Sequence, residues 1–315
     1  MTFFALLTKE LRLRMRRERP IWLMIAYILL LGALSWFSLN STGGSTPNVT
    51  AFNQAGFNLF TLLSQLQLLF IIFITPSFIA TTINSEKEHQ TFDMLLCSRI
   101  SAFSLVMGKL VAGLLHVLLI IASSLPLFSL VFFFGGITST QILAALVIFL
   151  TTAFLLGAIS LFCSTIIQRT AHSTTLVYLF CVLWLLLPIF IYIASLLTVD
   201  GTSFLPLYQD RIHLLLSWNP VIAMMSTYSQ TLSYNSPLLF YLEAGYGFLY
   251  NANNGASDFV LLHTWHLSYG TLYNSINIAL ALLFCALSTL TVRPRMQELP
   301  GLPWTHWIKS RKGGT

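Results

Sequence analysis

Long apolar runs, separated by short polar or charged segments, dominate the chain. No Asp, Glu, Lys or Arg occurs in residues 20–85 or in residues 110–168. A helix of about 20 residues crosses the hydrocarbon core of a membrane, so each run is long enough for two crossings. Turn-forming residues interrupt both runs, at 43–48 and at 135–140. The pattern therefore predicts pairs of membrane-spanning helices joined by short connections.

Extending this pattern along the chain predicts a bundle of six membrane-spanning helices. We place them at residues 20–39, 57–83, 106–134, 142–166, 173–198 and 270–291. Between the last two lies a segment, residues 200–269, that is rich in Tyr, Trp, Asn, Ser and Gly. Two further spans there are disfavoured by its charged residues, Asp210, Arg211, Glu243 and Asp258. Because Trp218-Asn219-Pro220 breaks its apolar stretch, we expect short helices or a re-entrant piece in this segment.

Composition excludes the ordinary soluble classes. The 315 residues are 56% hydrophobic and only 8% charged, and the mean hydropathy is +0.78. Soluble domains carry about 25% charged residues. The formal charge of +6 does not indicate a nucleic-acid partner, because the Lys and Arg residues flank the apolar runs as topology signals do. The predicted fold class is an all-α polytopic membrane protein surrounded by lipid.

The basic residues also predict the orientation. With the N-terminus inside, the cytoplasmic pieces are residues 1–19, 84–105, 167–172 and 292–315. These pieces hold most of the 16 Lys and Arg residues, whereas Arg211 lies in the outer segment. Cytoplasmic loops carry an excess of positive charge. We therefore expect a multi-pass protein of the cytoplasmic membrane with both termini in the cytoplasm.

Residues 1–19 have the pattern of a basic amphipathic helix. Its apolar face consists of Phe4, Leu7, Leu11 and Met15, and its basic face of Lys9, Arg12, Arg16 and Arg19. Such a helix lies along the inner leaflet, with its cations on anionic headgroups. Two interpretations stay open: a plain topology anchor, or an interfacial helix that also contacts a partner beside the first span.

The cytoplasmic segment 84–105 is the internal piece in which acidic residues cluster. Glu86, Glu88 and Asp93 lie close to Lys87, and an apolar edge follows, formed by Phe92, Leu95 and Leu96. A charged helix with an apolar edge, projecting from a membrane bundle, suits docking to a soluble protein. The alternative is a solvated loop with ion pairs four residues apart, each worth about 0.2–0.5 kcal/mol.

This stretch resembles the signature region of the type-2 ABC exporter permease family. There, the second span is followed by a pattern close to E-[RK]-E-x-G-T-[LF]-[ED]-x-L-L, and later by a Gly-Lys that leads into the third span. The matching residues here are Glu86, Lys87, Glu88, Thr91, Phe92, Asp93, Leu95 and Leu96, followed by Gly108-Lys109. Gln90 replaces the family's usual Gly, which puts the local turn in doubt. The order of parts is also similar, with Pro126 in the third span and Asn219-Pro220 in the outer segment.

The resemblance implies a permease subunit that pairs with a second, identical or similar, permease subunit and with two cytoplasmic ABC ATPase subunits. It also implies that the matched residues couple the permease to the ATPase, and that transport is export. The chain contains no G-x-x-x-x-G-K-[ST] motif. We therefore expect it to be no enzyme and to bind no cofactor itself, ATP and Mg²⁺ being held by the partner ATPase.

Three polar residues within the predicted spans are candidates for a translocation path: Gln65, Gln67 and His116. Polar groups are costly to leave facing lipid, so they line a path or form hydrogen bonds between helices. No Asp or Glu lies inside a predicted span, which disfavours a proton- or sodium-coupled transporter. We expect no metal site, because His263 and His266 lack a nearby carboxylate and the four cysteines lack CxxC spacing.

Two alternatives to a permease follow from the same residues. A membrane-embedded scaffold or assembly factor would use residues 84–105 to dock a cytoplasmic protein and would transport nothing. An intramembrane enzyme is disfavoured, because the few acidic residues are spread along the chain and no nucleophile motif occurs. The sequence does not specify the transported substrate.

Overall fold

The computed structural model describes residues 19–42, 49–88, 102–167, 169–197, 218–225, 227, 258–260 and 266–297. Its helices are α1 (Arg19–Thr42), α2 (Val49–Glu88), α3 (Ala102–Phe134), α4 (Ser139–Ile166), α5 (Thr170–Leu197), α6 (Pro220–Met225) and α7 (Tyr269–Gln297). Several sequence predictions lie outside these residues: the amphipathic helix before residue 19, the break at 43–48, the C-terminal tail beyond 297 and most of 200–269.

The predicted all-α membrane fold is confirmed. Five helices contain stretches long and apolar enough to cross a membrane: Asn53–Glu88, Ala102–Phe134, Ser139–Ile166, Thr170–Leu187 and Gly270–Val292. α1 adds a shorter apolar stretch, Met24–Phe37. Six crossings and cytoplasmic termini therefore stay predictions.

Two features differ from the sequence predictions. Several helices are longer than the apolar spans, most of all α2 and α7, because a helix continues past the hydrocarbon core wherever its backbone hydrogen bonds persist. The segment 200–269, for which only helical pieces were expected, also contains two strands. β1 (Asp258–Val260) pairs antiparallel with β2 (His266–Ser268), directly before α7.

α2 is in contact with four other long helices, α1, α3, α4 and α5. Its Ile79 is fully buried and fits between two glycines, Gly113 of α3 and Gly157 of α4. A Cβ atom on Gly113 would lie 2.6 Å from Ile79 Cγ1, and one on Gly157 would lie 2.9 Å from Ile79 Cδ1. Small residues at these positions let three helices approach closely, which is how helices associate within lipid.

The connection between α3 and α4 turns at Gly135-Gly136, within the predicted break at 135–140. Their φ angles are +79° and +83°, a conformation that side chains with a Cβ rarely adopt. The turn also packs closely on the start of α2, where Gly56 faces the carbonyl of Gly135. Thr138 and Gln141 then form a capping box that begins α4. We call this side of the molecule the Gly135 end.

α4 and α7 run in the same direction and are joined by side-chain hydrogen bonds. The Tyr273 and Thr152 hydroxyls lie 2.7 Å apart, and the Thr291 hydroxyl donates to Thr165 Oγ1 at 3.1 Å. Thr152 lies about 20 Å along α4 from its first residue, at 1.5 Å per residue. The first residue of α7 therefore lies level with a point well along α4, away from the Gly135 end.

The space above the start of α7 is occupied by residues 218–225, which include α6, and by Thr227. The Trp218 indole donates to Asn277 Oδ1 at 3.1 Å, and the Thr227 carbonyl accepts from Gln141 Nε2 at 3.1 Å. The Trp218 carbonyl also accepts from the Trp184 indole at 2.9 Å. These residues thus span the distance between the third turn of α7 and the Gly135 end of α4.

The outer surface of the bundle is apolar, while many polar side chains lie inside. Large apolar side chains are exposed on α1, α3, α5 and α7; Phe133 of α3, for example, is 87% exposed. Such patches would be an association hazard in water but suit contact with acyl chains.

Gly113→Ala tests the packing of Ile79. The added Cβ meets Ile79 Cγ1 at 2.6 Å, and overpacking of this kind costs about 1–3 kcal/mol. Gly32→Ala is the matched control, because nothing lies within 4 Å of its added Cβ and alanine favours the helix. Thermal unfolding in detergent should show a lower midpoint for Gly113→Ala than for Gly32→Ala. Equal midpoints would contradict the packing described here.

Candidate functional site

The ends of four helices meet on the side of the bundle opposite the Gly135 end: the last turns of α2 and α4 and the first turns of α3 and α5. We call this side the Glu86 end. Its charged residues Glu86, Lys87 and Glu88 are the last three residues of α2. Successive residues of an α-helix point about 100° apart, so these three side chains leave α2 in different directions.

Glu86 forms an ion pair with α3. Its Oε1 lies 2.8 Å from Nζ of Lys109. Lys109 is only 1% exposed, whereas Glu86 is 24% exposed. An ammonium group this buried requires a charge partner, since leaving it unpaired carries a large desolvation cost. The pair therefore fixes the end of α2 against the first turns of α3.

Lys87 binds the end of α4. Its Nζ donates to the carbonyl oxygens of Ser164, Thr165 and Ile167 at 2.5, 2.8 and 3.2 Å. The last carbonyls of a helix have no N–H partner within the helix, and its C-terminal end carries partial negative charge. The three donors of the ammonium group thus meet three acceptors.

Glu88 binds the start of α5. Its Oε1 accepts from the backbone N–H of Thr170 at 2.9 Å and from the Thr170 hydroxyl at 2.7 Å. The first N–H groups of a helix also lack partners within the helix, and that end carries partial positive charge. Glu88 therefore caps α5 from a neighbouring helix.

A fourth residue of α2, Asn84, also reaches α4. With its amide oriented so that nitrogen donates, Nδ2 lies 3.1 Å from Ser164 Oγ, 2.9 Å from the Ser164 carbonyl and 3.0 Å from the Ile167 carbonyl. The Ser164 hydroxyl in turn donates to the carbonyl of Ala80 at 3.0 Å. The last two turns of α2 are therefore bound to α4 at several points.

These contacts make the site a junction of helix ends. Over the part of the chain described, no group of three His, Cys, Asp or Glu residues is suited to hold a metal ion. Glu86 and Lys109 bind each other, and Lys87 and Glu88 each bind a helix end. These contacts hold α3, α4 and α5 to the end of α2.

The structure describes only part of the predicted coupling segment. Glu86, Lys87 and Glu88 lie together at the junction, whereas Thr91, Phe92, Asp93, Leu95 and Leu96 lie outside the described residues. Asn84, Ser164 and Thr170 were not identified from the sequence. The sequence analysis named Lys109 only as part of the Gly108-Lys109 pair. A lysine near the start of a long apolar helix does, however, indicate that an acidic partner lies nearby.

The candidate path residues lie inside the bundle. Gln65 and His116 are each 5% exposed and Gln67 is fully buried. His116 packs against Phe78, with ring centroids 5.2 Å apart. Neither amide atom of Gln67 has a hydrogen-bond partner among the described residues. Of the two roles left open for Gln67, a hydrogen bond between helices is therefore not formed with the part of the chain described here.

Glu86→Gln and Lys109→Met test the ion pair. Glu86→Gln leaves a buried ammonium without its charge partner and should cost about 3 kcal/mol. Lys109→Met should cost less, because the remaining carboxylate is partly exposed and the methionine fills the buried site. Thermal unfolding in detergent of both variants and of the double variant measures the coupling. Losses of the two single variants that simply add in the double variant would show that Lys109 does not depend on Glu86.

Comparison with known proteins identifies the family of this chain. A family model described as ABC-2 family transporter protein matches residues 35–292. No curated protein matches the sequence. The matched range contains all of α2 to α6, the last third of α1 and most of α7, and so includes both ends of the bundle. The chain therefore belongs to the ABC-2 transporter family, as its resemblance to type-2 ABC permeases predicted, and is the multi-pass membrane component of an ABC transporter.

Proposed function

We propose that this permease subunit works in export, pairs with a second permease subunit and is driven by separate cytoplasmic ATPase subunits. The Glu86 end then faces the cytoplasm, and residues 84–105 contact the ATPase. Permeases of this family generally work with a cytoplasmic ATPase subunit. The proposal for this chain is supported by one observation above all: the charged end of α2 is bound to the ends of three other helices.

A junction of this kind suits energy coupling for a mechanical reason. A soluble ATPase can push only on the parts of a permease that leave the membrane. Residues 89–101 connect the end of α2 to the start of α3, and both ends of this connection are held by Glu86 and Lys109. A displacement of the connection is thus passed to the bundle rather than absorbed by a loose loop.

We also propose that Gln65, Gln67 and His116 belong to the translocation path. All three are buried in the conformation described, so the path opens here only when the helices around α2 rearrange. A buried amide without partners costs about 1–3 kcal/mol. That cost is offset in a state where water or substrate reaches the amide, as alternating access requires.

Co-purification tests the ATPase partnership. The detergent-solubilised protein should retain a polypeptide that carries a G-x-x-x-x-G-K-[ST] motif and hydrolyses ATP. Phe92→Ala should reduce this retention by about tenfold, because removing an apolar anchor at the centre of an interface costs 1.4 kcal/mol or more.

Phe133→Ala is the matched control for that experiment, because Phe133 is equally apolar but lies near the Gly135 end. It should leave ATPase retention unchanged. Retention of a cytoplasmic protein without ATP hydrolysis would favour the scaffold alternative. Equal retention by both variants would place the ATPase contact elsewhere.

Gln67→Leu tests the path. Replacing an amide without partners by an apolar side chain should raise the unfolding midpoint in detergent, while ATP-driven turnover of the complex should fall. Gln54→Leu is the control, because Gln54 is half-buried and donates to Asn58 Oδ1 at 3.2 Å, so its replacement brings no comparable gain in stability. A Gln67→Leu protein that is more stable and fully active would remove Gln67 from the path.

A further inference from the structure

The corner between α4 and α5 is bound to α2 through charges at two helix ends. α4 ends at Ile166 and α5 begins at Thr170, so only three residues separate them. Lys87 binds carbonyls at the C-terminal end of α4, and Glu88 binds the N–H and hydroxyl of the first residue of α5. A cation is thus placed at a helix C-terminus and an anion at a helix N-terminus, the favourable arrangement in both cases.

These contacts connect segments that are far apart in sequence. Lys87 and Ser164 are 77 positions apart, and Glu88 and Thr170 are 82 apart. The chain between α2 and the corner does not enforce the contact, because it passes through the whole of α3 and α4. At the very end of α2, Lys87, Glu88 and the Asn84 amide bind the corner directly, next to the bond from the Ser164 hydroxyl to the Ala80 carbonyl.

Glu88 is also the last described residue before residues 89–101, the connection that the proposed function assigns to the ATPase. Any tilt or displacement of that connection reaches Glu88 and Lys87 first. Glu86 binds α3, Lys87 binds α4 and Glu88 binds α5. A displacement of the end of α2 is therefore passed to three helices by three consecutive residues. Segment 167–172 carries the exposed residues Arg169 and His172 and lies at the same end.

From this we infer that Lys87 and Glu88 are positioning residues that transmit movement of the α2 end to the α4–α5 corner. The corner is then a second moving part of the coupling element, besides α3. This inference depends on the proposed function, since it requires an ATPase acting on residues 89–101. It assigns Lys87 and Glu88 to contacts within the permease rather than to the ATPase surface.

The test follows the corner directly in the complex with its ATPase. All four native cysteines are replaced, Arg169→Cys is introduced, and its rate of modification by a maleimide is measured without nucleotide and after trapping with ATP and vanadate. Arg169 is exposed, so the thiol is accessible. We expect the two rates to differ by roughly fivefold or more, the usual scale of coupling between sites.

Lys87→Met with Glu88→Ala should bring the two rates together while the ATPase stays bound. Thr175→Val is the matched control: its hydroxyl donates only within α5, to the Ala171 carbonyl at 2.8 Å, so the nucleotide-dependent difference should persist. A difference that persists at full size in the Lys87 and Glu88 variant would overturn the inference, as would equal rates in the parent protein.

A second measurement separates transmission from folding. In the cysteine-free protein, Glu88→Cys and Thr170→Cys are joined by a short, reducible bis-methanethiosulfonate cross-linker. ATP-driven turnover should be restored while the link is present and lost again after reduction, in one and the same folded sample. Equal turnover with and without the cross-link would overturn this inference but leave the proposed function intact. Failure of the unmodified protein to retain any ATPase would instead overturn the proposed function.

Discussion

The backbone N–H and C=O groups at helix ends are the hardest groups in a membrane protein to supply with hydrogen-bond partners. This constraint determines how the helix ends of this chain are held together. Within a helix every N–H and C=O is paired, but the first N–H groups and the last C=O groups are not. In this chain α4 ends and α5 begins within three residues, which concentrates such groups in one place. The charged end of α2 satisfies them, and so the arrangement of four helices depends on it.

The two ends of the bundle meet the same constraint in different ways. At the Gly135 end the chain turns by backbone conformation, through two glycines with positive φ and a capping box at Thr138. Those bonds are local and fix the α3–α4 turn, while the bond from the Gln141 amide to the Thr227 carbonyl joins the start of α4 to the residues that follow α6. At the Glu86 end the partners are remote in sequence, so each bond also joins two helices. The contacts at that end therefore join α2 to α3, α4 and α5.

The sequence predicted the apolar spans and the turn at 135–140 because both are local properties. A long uncharged apolar run indicates a membrane-spanning helix. Two adjacent glycines followed by Thr and Ser residues indicate a turn. The sequence also predicted the family, which the comparison confirmed, whereas the coupling role of residues 86–88 implied by that resemblance stays a prediction. It did not predict their contacts, since neither Ser164 nor Thr170 carries any signal that a donor or acceptor of α2 would meet it.

The sequence by itself therefore determined that this chain is an α-helical membrane protein of the type-2 ABC permease kind, because hydropathy and short motifs follow from the order of residues alone. Only the tertiary structure decided that Lys109 has Glu86 as its charge partner, that Gln67 is enclosed, and that Glu88 caps α5. The reason is that a helix fixes the direction in which each side chain points, while the packing of other helices decides what it meets there.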